Sequence, residues 1–257
     1  MDTFKTKSPD LELIYKEADG VKLPLHTYFP NGNLKNAKTV VCIHGGGWTD
    51  AITDNSLWQG GHMANNAKYL AEKGFIGITI SYRSLKISPN LTVCDIIKDV
   101  EDAIYYMRKH LKFINFDNIV YMGDSAGGYL AVMLGLSQDK MLRPDAVVAL
   151  NPVVDVSREK WEYAFKNCNI KNYSPFYAIG KNCAKFLFLH GTGDTVVELE
   201  DTADLHNKLR ACGHCSEMIT VANAKHAFML YDYQSTDEFV TEYMDQIIKY
   251  LNGDAAL

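Results

Sequence analysis

At 257 residues and 47% hydrophobic, the chain can bury one large core, and a single α/β domain over residues 1–257 is expected. A formal net charge of −5, with no basic cluster among 26 Lys and Arg, excludes the electrostatic footprint that nucleic-acid binding needs. The opening residues carry no apolar signal region and no apolar run is long enough to span a bilayer, so no membrane partner is expected and a cytoplasmic location is.

In chain order, "LELIYKEA" and "KLPLHTYFP" read as an opening hairpin and "KTVVCIHGG" as the first buried strand. An irregular segment, 48–63, leads to a helix at "NNAKYLAEKG" and a strand at "GFIGITISYR". The long helix "TVCDIIKDVEDAIYYMRKHL" follows, with Val93, Ile96, Ile97, Val100, Ile104 and Met107 recurring at i, i+3, i+4 spacing, so that this face covers the sheet. Then come the strand "NIVYMGDS", the helix "AGGYLAVMLGLSQ" and the strand "DAVVALNPVV". A second irregular segment occupies 155–182. After it lie the strand "AKFLFLHG", the helix "LEDTADLHNKLRACG", the strand "SEMITVANA" and a closing helix, "STDEFVTEYMDQIIKYLNG". Apolar runs alternating with amphipathic segments predict a mostly parallel sheet flanked by helices on both faces. Ligands of such sheets bind outside the carboxyl ends of the strands, where both irregular segments begin.

"GDSAG" at 123–127 sits between a strand and a helix. A chance Gly-x-Ser-x-Gly in a chain of this length is a few-per-cent event, with glycine at about 7% of average usage. Its chemistry therefore depends on partners elsewhere. A serine hydroxyl must pass its proton to a base as it attacks, which makes Ser125 a candidate nucleophile only if a base is near. Two glycines leave room for a sharp turn, and the Ala126 N–H at the helix start is a candidate oxyanion donor. "HGGGW" at 44–48 ends a strand, and its glycines let the Gly46 and Gly47 N–H groups approach an oxyanion. Loss of one such donor typically costs about 3 to 4 kcal/mol. His44 is read as holding this loop.

Of eight histidines, His226 follows the last strand in a loop of small residues and is the candidate base. Asp194, in the turn "HGTGDTVV" after the preceding strand, is the candidate orienting acid, with Asp155 its competitor. The order Ser125, Asp194, His226 is that of the α/β hydrolases.

This constellation resembles the α/β-hydrolase superfamily across nearly the whole chain, and within it the esterases that carry "HGGGW" and "GDSAGG". The resemblance implies Ser125 as nucleophile, His226 as general base and acid, Asp194 as its orienting residue, and Gly46, Gly47 and Ala126 as oxyanion hole. No long helical cap precedes the first strand. The "HGTGDTVV" turn and compact ending look more like small carbohydrate esterases such as acetylxylan esterases. The expected activity is therefore hydrolysis of short-acyl esters, acetylated carbohydrate first, with no cofactor and no metal. Trp48, Trp58 and Trp161, with Phe176 and Tyr177, are expected to wall the substrate pocket. "HGGGW" also fits the H-G-G-x-W pattern of kynurenine formamidases, and a general small-ester carboxylesterase is a further alternative. A catalytically silent binding module is a remoter one. The expected partner is a small-molecule or oligosaccharide ester. Assembly state is left open, a homodimer being one option.

Six cysteines, mostly in apolar segments, read as reduced core residues. Cys212 and Cys215 form a C-x-x-C at the end of a helix, where the dipole favours cations over thiolates, so a dithiol role is not expected.

Overall fold

The computed structural model describes residues 3–50 and 61–253, the side chain of Lys35 excepted. Trp58 therefore lies outside the described residues. Eight strands form one sheet in the order β1-β2-β4-β3-β5-β6-β7-β8. The strands are β1 (Leu11–Ala18), β2 (Val21–Tyr28), β3 (Thr39–Ile43), β4 (Ile76–Ile80), β5 (Ile119–Asp124), β6 (Ala146–Leu150), β7 (Lys185–Gly191) and β8 (Ser216–Val221). β1, β2 and β4 pair antiparallel, and every pair from β4 across to β8 is parallel.

Parallel neighbours need crossovers, which are supplied by α1 (Ala64–Glu72), α2 (Val93–His110), α3 (Ala126–Gly135) and α6 (Leu199–Ala211), with α7 (Asp237–Asn252) closing the chain. Strands covered on both faces read as continuous apolar runs, and every residue of β3, β4 and β6 is buried. Two cores result. One lies under α2 and α3 and contains Val41, Ile43, Ile96, Val100, Leu130 and Phe186; the other lies under α1 and α7 and contains Val40, Cys42, Leu70, Met122, Leu187 and Ile247. This is the α/β-hydrolase fold.

The apolar stripe on α2 is interrupted by Asp99, which is fully buried. Its carboxylate takes a two-pronged ion pair from Arg83, at 2.7 and 2.9 Å, and Lys16 Nζ at 2.6 Å. The trio ties α2 to β1 and to the exit of β4. Removing one partner of such a buried pair costs about 3–5 kcal/mol, because the other charge is left desolvated.

The 155–182 segment is more ordered than its sequence suggests. It holds a 3-10 turn at Glu159–Ala164 and two single-turn helices, α4 (Ile170–Tyr173) and α5 (Pro175–Ala178). Long-range polar ties fix it in place. Arg158 grips Asp201 of α6, Tyr129 Oη donates to the Tyr173 carbonyl at 2.7 Å, and Lys208 Nζ donates to the Phe176 carbonyl at 2.7 Å. Among the described residues, no helix is long and apolar enough to cross a membrane.

Candidate active site

β5 delivers Ser125 into the turn before α3. The Ser125 backbone adopts φ 53°, ψ −116°, a sparsely populated conformation for a side-chain-bearing residue that costs on the order of 1–3 kcal/mol. Its surroundings impose it. A Cβ on Gly123 would stand 2.2 Å from the Gly127 carbonyl oxygen, and one on Gly127 would stand 2.1 Å from the Ile43 oxygen. The turn is therefore so tight that glycine is required on both sides of the serine. Ser125 N–H donates to the Leu150 carbonyl at 2.9 Å, and the Ser125 carbonyl accepts from Tyr129 N–H at 3.0 Å, so strand β6 and helix α3 hold the residue from either side.

Trp48, Asn151 and Ala227 also have positive φ, at 59°, 36° and 58°. Each adjoins this end of the sheet, so strained backbone gathers around Ser125.

His226 follows β8, and its Nε2 lies 2.9 Å from Ser125 Oγ. Its Nδ1 lies 2.7 Å from Asp194 Oδ2, in the turn after β7. Since the carboxylate can only accept, Nδ1 carries the proton and Nε2 is left to accept from the serine hydroxyl. Asp194 Oδ1 accepts the N–H groups of Val196 and Val197 at 2.8 and 2.9 Å. Burial alone would raise this carboxyl, but hydrogen bonds from His190, His226 and the Val197 N–H outweigh it and hold the group well below the usual carboxylate range. Asp155 is elsewhere, accepting the N–H and hydroxyl of Ser157 at 3.0 and 2.6 Å.

The glycine loop lies directly against the serine, for a Cβ on Gly45 would meet Ser125 Cβ at 3.1 Å. Gly46 and Gly47 have φ of 94° and 57°. The Gly46 carbonyl accepts from Thr49 N–H and Asp50 N–H, both at 3.0 Å, so the trans peptide points the Gly47 N–H the opposite way. The next carbonyl, of Gly47, accepts from Tyr163 Oη at 2.8 Å. Ala126 opens α3 with its N–H free of helical partners, at the positive end of the helix dipole. His44 is buried against the Tyr82 ring, with centroids 4.3 Å apart and planes 6° from parallel. Its Nδ1 sits 2.9 Å from the Gly45 carbonyl, and burial lowers its pKa to about 4, so it is a neutral strut of the loop.

A cleft of about 280 Å³ opens over Ser125, lined by Gly46, Gly47, Asp50, His62, Trp161, Val196, His226, Leu230 and Tyr233 among others. Trp161 is among the residues lining this cleft. Trp48 is not. It is fully buried and packs edge-on against Tyr129, Trp161 and Phe165, with ring centroids 5.5–5.9 Å apart. Such pairs contribute about 0.5–1.5 kcal/mol each beyond their burial. The positive φ at Trp48 turns its side chain under the glycine loop and into the core. Tyr177 is 64% exposed beside Lys171 and Lys208 and, like Phe176, is not among the cleft-lining residues.

Asp50, His62, Val196 and Tyr233 were not singled out as lining residues from sequence, nor was Asp124. Asp124 immediately precedes the serine and is buried beneath the cleft. Burial raises its carboxyl to about 6 against the opposing influence of His226 and the Asn151 amide, which donates at 3.0 Å. Cys212 caps α6 and Cys215 precedes β8, at the end of that strand opposite His226; both are exposed free thiols.

Comparison with known proteins adds to this geometry. Esterase 2 from the planctomycete Thermogutta terrifontis, in its propionate-bound structure, superposes with a TM-score of 0.80 at 22% identity, covering 95% of this chain and 94% of that one. Its tabun-phosphoramylated form gives 0.82 at 23%. Among curated proteins, the "Probable carboxylic ester hydrolase LipM" of Mycobacterium tuberculosis is 27% identical over 197 residues, 65% of this chain. The non-reducing polyketide synthase Preu6 of Preussia isomera is 28% identical over 166 residues, 60% of this chain. The chain spans 44% of LipM and 7% of the synthase. The BD-FAE family model matches residues 25–157, more than half of the chain, and with β3 through the Ser125 turn and β6 inside that match, the chain belongs to the BD-FAE family.

Proposed function

We propose that the chain is a serine esterase, cleaving short-acyl carboxylic esters through an acyl-enzyme at Ser125. One observation carries the reading: a single imidazole, His226, stands at hydrogen-bond distance from both Ser125 Oγ, at 2.9 Å, and the Asp194 carboxylate, at 2.7 Å. That arrangement has the geometry of general-base activation. Ser125 attacks the ester carbonyl as its proton passes to His226 Nε2. The tetrahedral oxyanion takes hydrogen bonds from the Ala126 N–H and the glycine-loop N–H groups. His226 then protonates the departing alcohol, and water repeats the sequence to release the acid. Asp194 holds the imidazole tautomer and stabilises the imidazolium.

A short acyl group suits a cleft of about 280 Å³. Propionate- and butyrate-bound structures of the Thermogutta esterase support the same range. For the alcohol, an acetylated carbohydrate suits a cleft whose lining includes the aromatic residues Trp161 and Tyr233 and the polar residues Asp50 and His62.

The test is hydrolysis of 4-nitrophenyl acetate by wild type and Ser125→Ala, together with labelling by a fluorophosphonate probe. Wild type should turn over and label at Ser125, and the variant should do neither. Turnover retained by the variant would end the proposal, whereas absent turnover and labelling in wild type would indicate a silent binding module. Acetylated xylo-oligosaccharide and N-formylkynurenine, assayed side by side, separate the carbohydrate esterase from the formamidase.

A further inference from the structure

We infer that His190, a buried histidine with no part in the steps above, is a positioning residue that locks the acid turn and, through Asp194, sets the orientation of His226. The inference rests on the serine-hydrolase reading of the site. His190 is the penultimate residue of β7 and is fully buried. Its Nε2 is 3.2 Å from the Val197 carbonyl oxygen and 3.3 Å from Asp194 Oδ2, the same oxygen that faces His226 Nδ1.

Both neighbours of Nε2 are acceptors, so Nε2 carries the proton and shares it between them. Nδ1 is 2.9 Å from Thr202 Oγ1 on α6, a hydroxyl that holds the other edge of the ring. One imidazole therefore clasps both ends of the turn Asp194–Val197. The turn closes on itself through Asp194 Oδ1, which accepts the Val196 and Val197 N–H groups. Without His190, the Val197 carbonyl would be a buried acceptor short of its partner, and Oδ2 would be held from one side only. The carboxylate could then swing about its side-chain torsions, and the His226 ring would swing with it. Misplacement of a catalytic group by about 1 Å lowers rate far more than it lowers substrate affinity.

The test uses His190→Gln, His190→Asn and His190→Leu in the full chain. Gln can place an N–H where Nε2 stands, whereas the shorter Asn cannot reach Asp194 and Leu has no donor. On 4-nitrophenyl acetate, Asn and Leu should lower kcat about tenfold with KM within about twofold, and Gln should recover most of the loss. The downfield proton resonance of the His226 Nδ1–H, read without turnover, should shift or broaden in Asn and Leu and return in Gln. If Leu does not fold, the Asn and Gln pair decides the matter.

Wild-type kcat in folded Asn or Leu variants, or an unmoved resonance, would overturn the inference. So would a Gln variant as impaired as Asn. A wild type that hydrolyses no ester would instead defeat the hydrolase reading, and the resonance would still decide the role of His190.

Discussion

Replacing Asp124 with asparagine should stabilise the protein at neutral pH. The carboxyl is buried, with the Asn151 amide as a hydrogen-bond donor at 3.0 Å, and burial raises it from 3.8 to about 6. A raised folded-state value means that the folded chain binds this proton more tightly than the unfolded one. The stabilisation is complete below about pH 4 and is lost as pH climbs through 6. Above that range the ionised group is a net cost. A shift of about two pH units corresponds to about 3 kcal/mol, a large share of the 5–15 kcal/mol typical of a folded domain.

Asparagine keeps the shape and the acceptor oxygen but never ionises. The stability difference between variant and wild type should therefore widen in favour of the variant by about 2–3 kcal/mol between pH 4 and pH 7.5. At a few degrees per kcal/mol for a chain of this size, that is about 5–10 °C in Tm. Urea or thermal unfolding of both proteins at the two pH values measures it, and other titrating groups cancel because both proteins carry them. A difference that stays constant with pH, or that grows in favour of wild type, would refute the assignment of a buried, raised carboxyl.

Tyr163→Phe removes the hydroxyl that pins the Gly47 carbonyl, so kcat on acetate esters should fall about two- to tenfold with KM nearly unchanged, as steady-state kinetics would record. Gly127→Ala forces a Cβ to 2.1 Å from the Ile43 oxygen and 2.4 Å from the His44 oxygen, backbone atoms that cannot yield cheaply. It should lower stability by 3 kcal/mol or more, roughly 6–12 °C in Tm, and thermal unfolding would show it.

The chain's own pattern makes the strands and helices legible because each element keeps one period, and buried parallel strands are apolar throughout. Ser125, Asp194 and His226 are legible because each lies in the turn after a strand and motif glycines mark two of the three turns. What escapes the pattern depends on pairings across space. Trp48 reads as a pocket wall because its neighbours are loop residues, yet a positive φ sends it into the core. Asp99 carries no local signal of its burial, because its partner Arg83 lies 16 residues earlier, beyond the helix. His190 hides as a strand residue, although the four-residue spacing to Asp194 in "HGTGD" is a signal that could have found it. The cleft residues Val196 and Tyr233 lie in connections without periodicity, and nothing local says which way they face.

Ser125 and His226 meet across 101 positions of sequence, and the histidine arrives after β8, which among the described residues has a neighbouring strand on one side only. On the proposed mechanism a growing chain carries Ser125 long before it carries His226, and would stay chemically inert until β8 and the turn after it were in place. The same arrangement operates in reverse when the molecule is stressed. Were β8 to separate from β7, His226 would be carried away from Ser125, and on the proposed mechanism turnover would stop while the aromatic interior was still closed. On that mechanism, turnover would report on that one margin of the sheet.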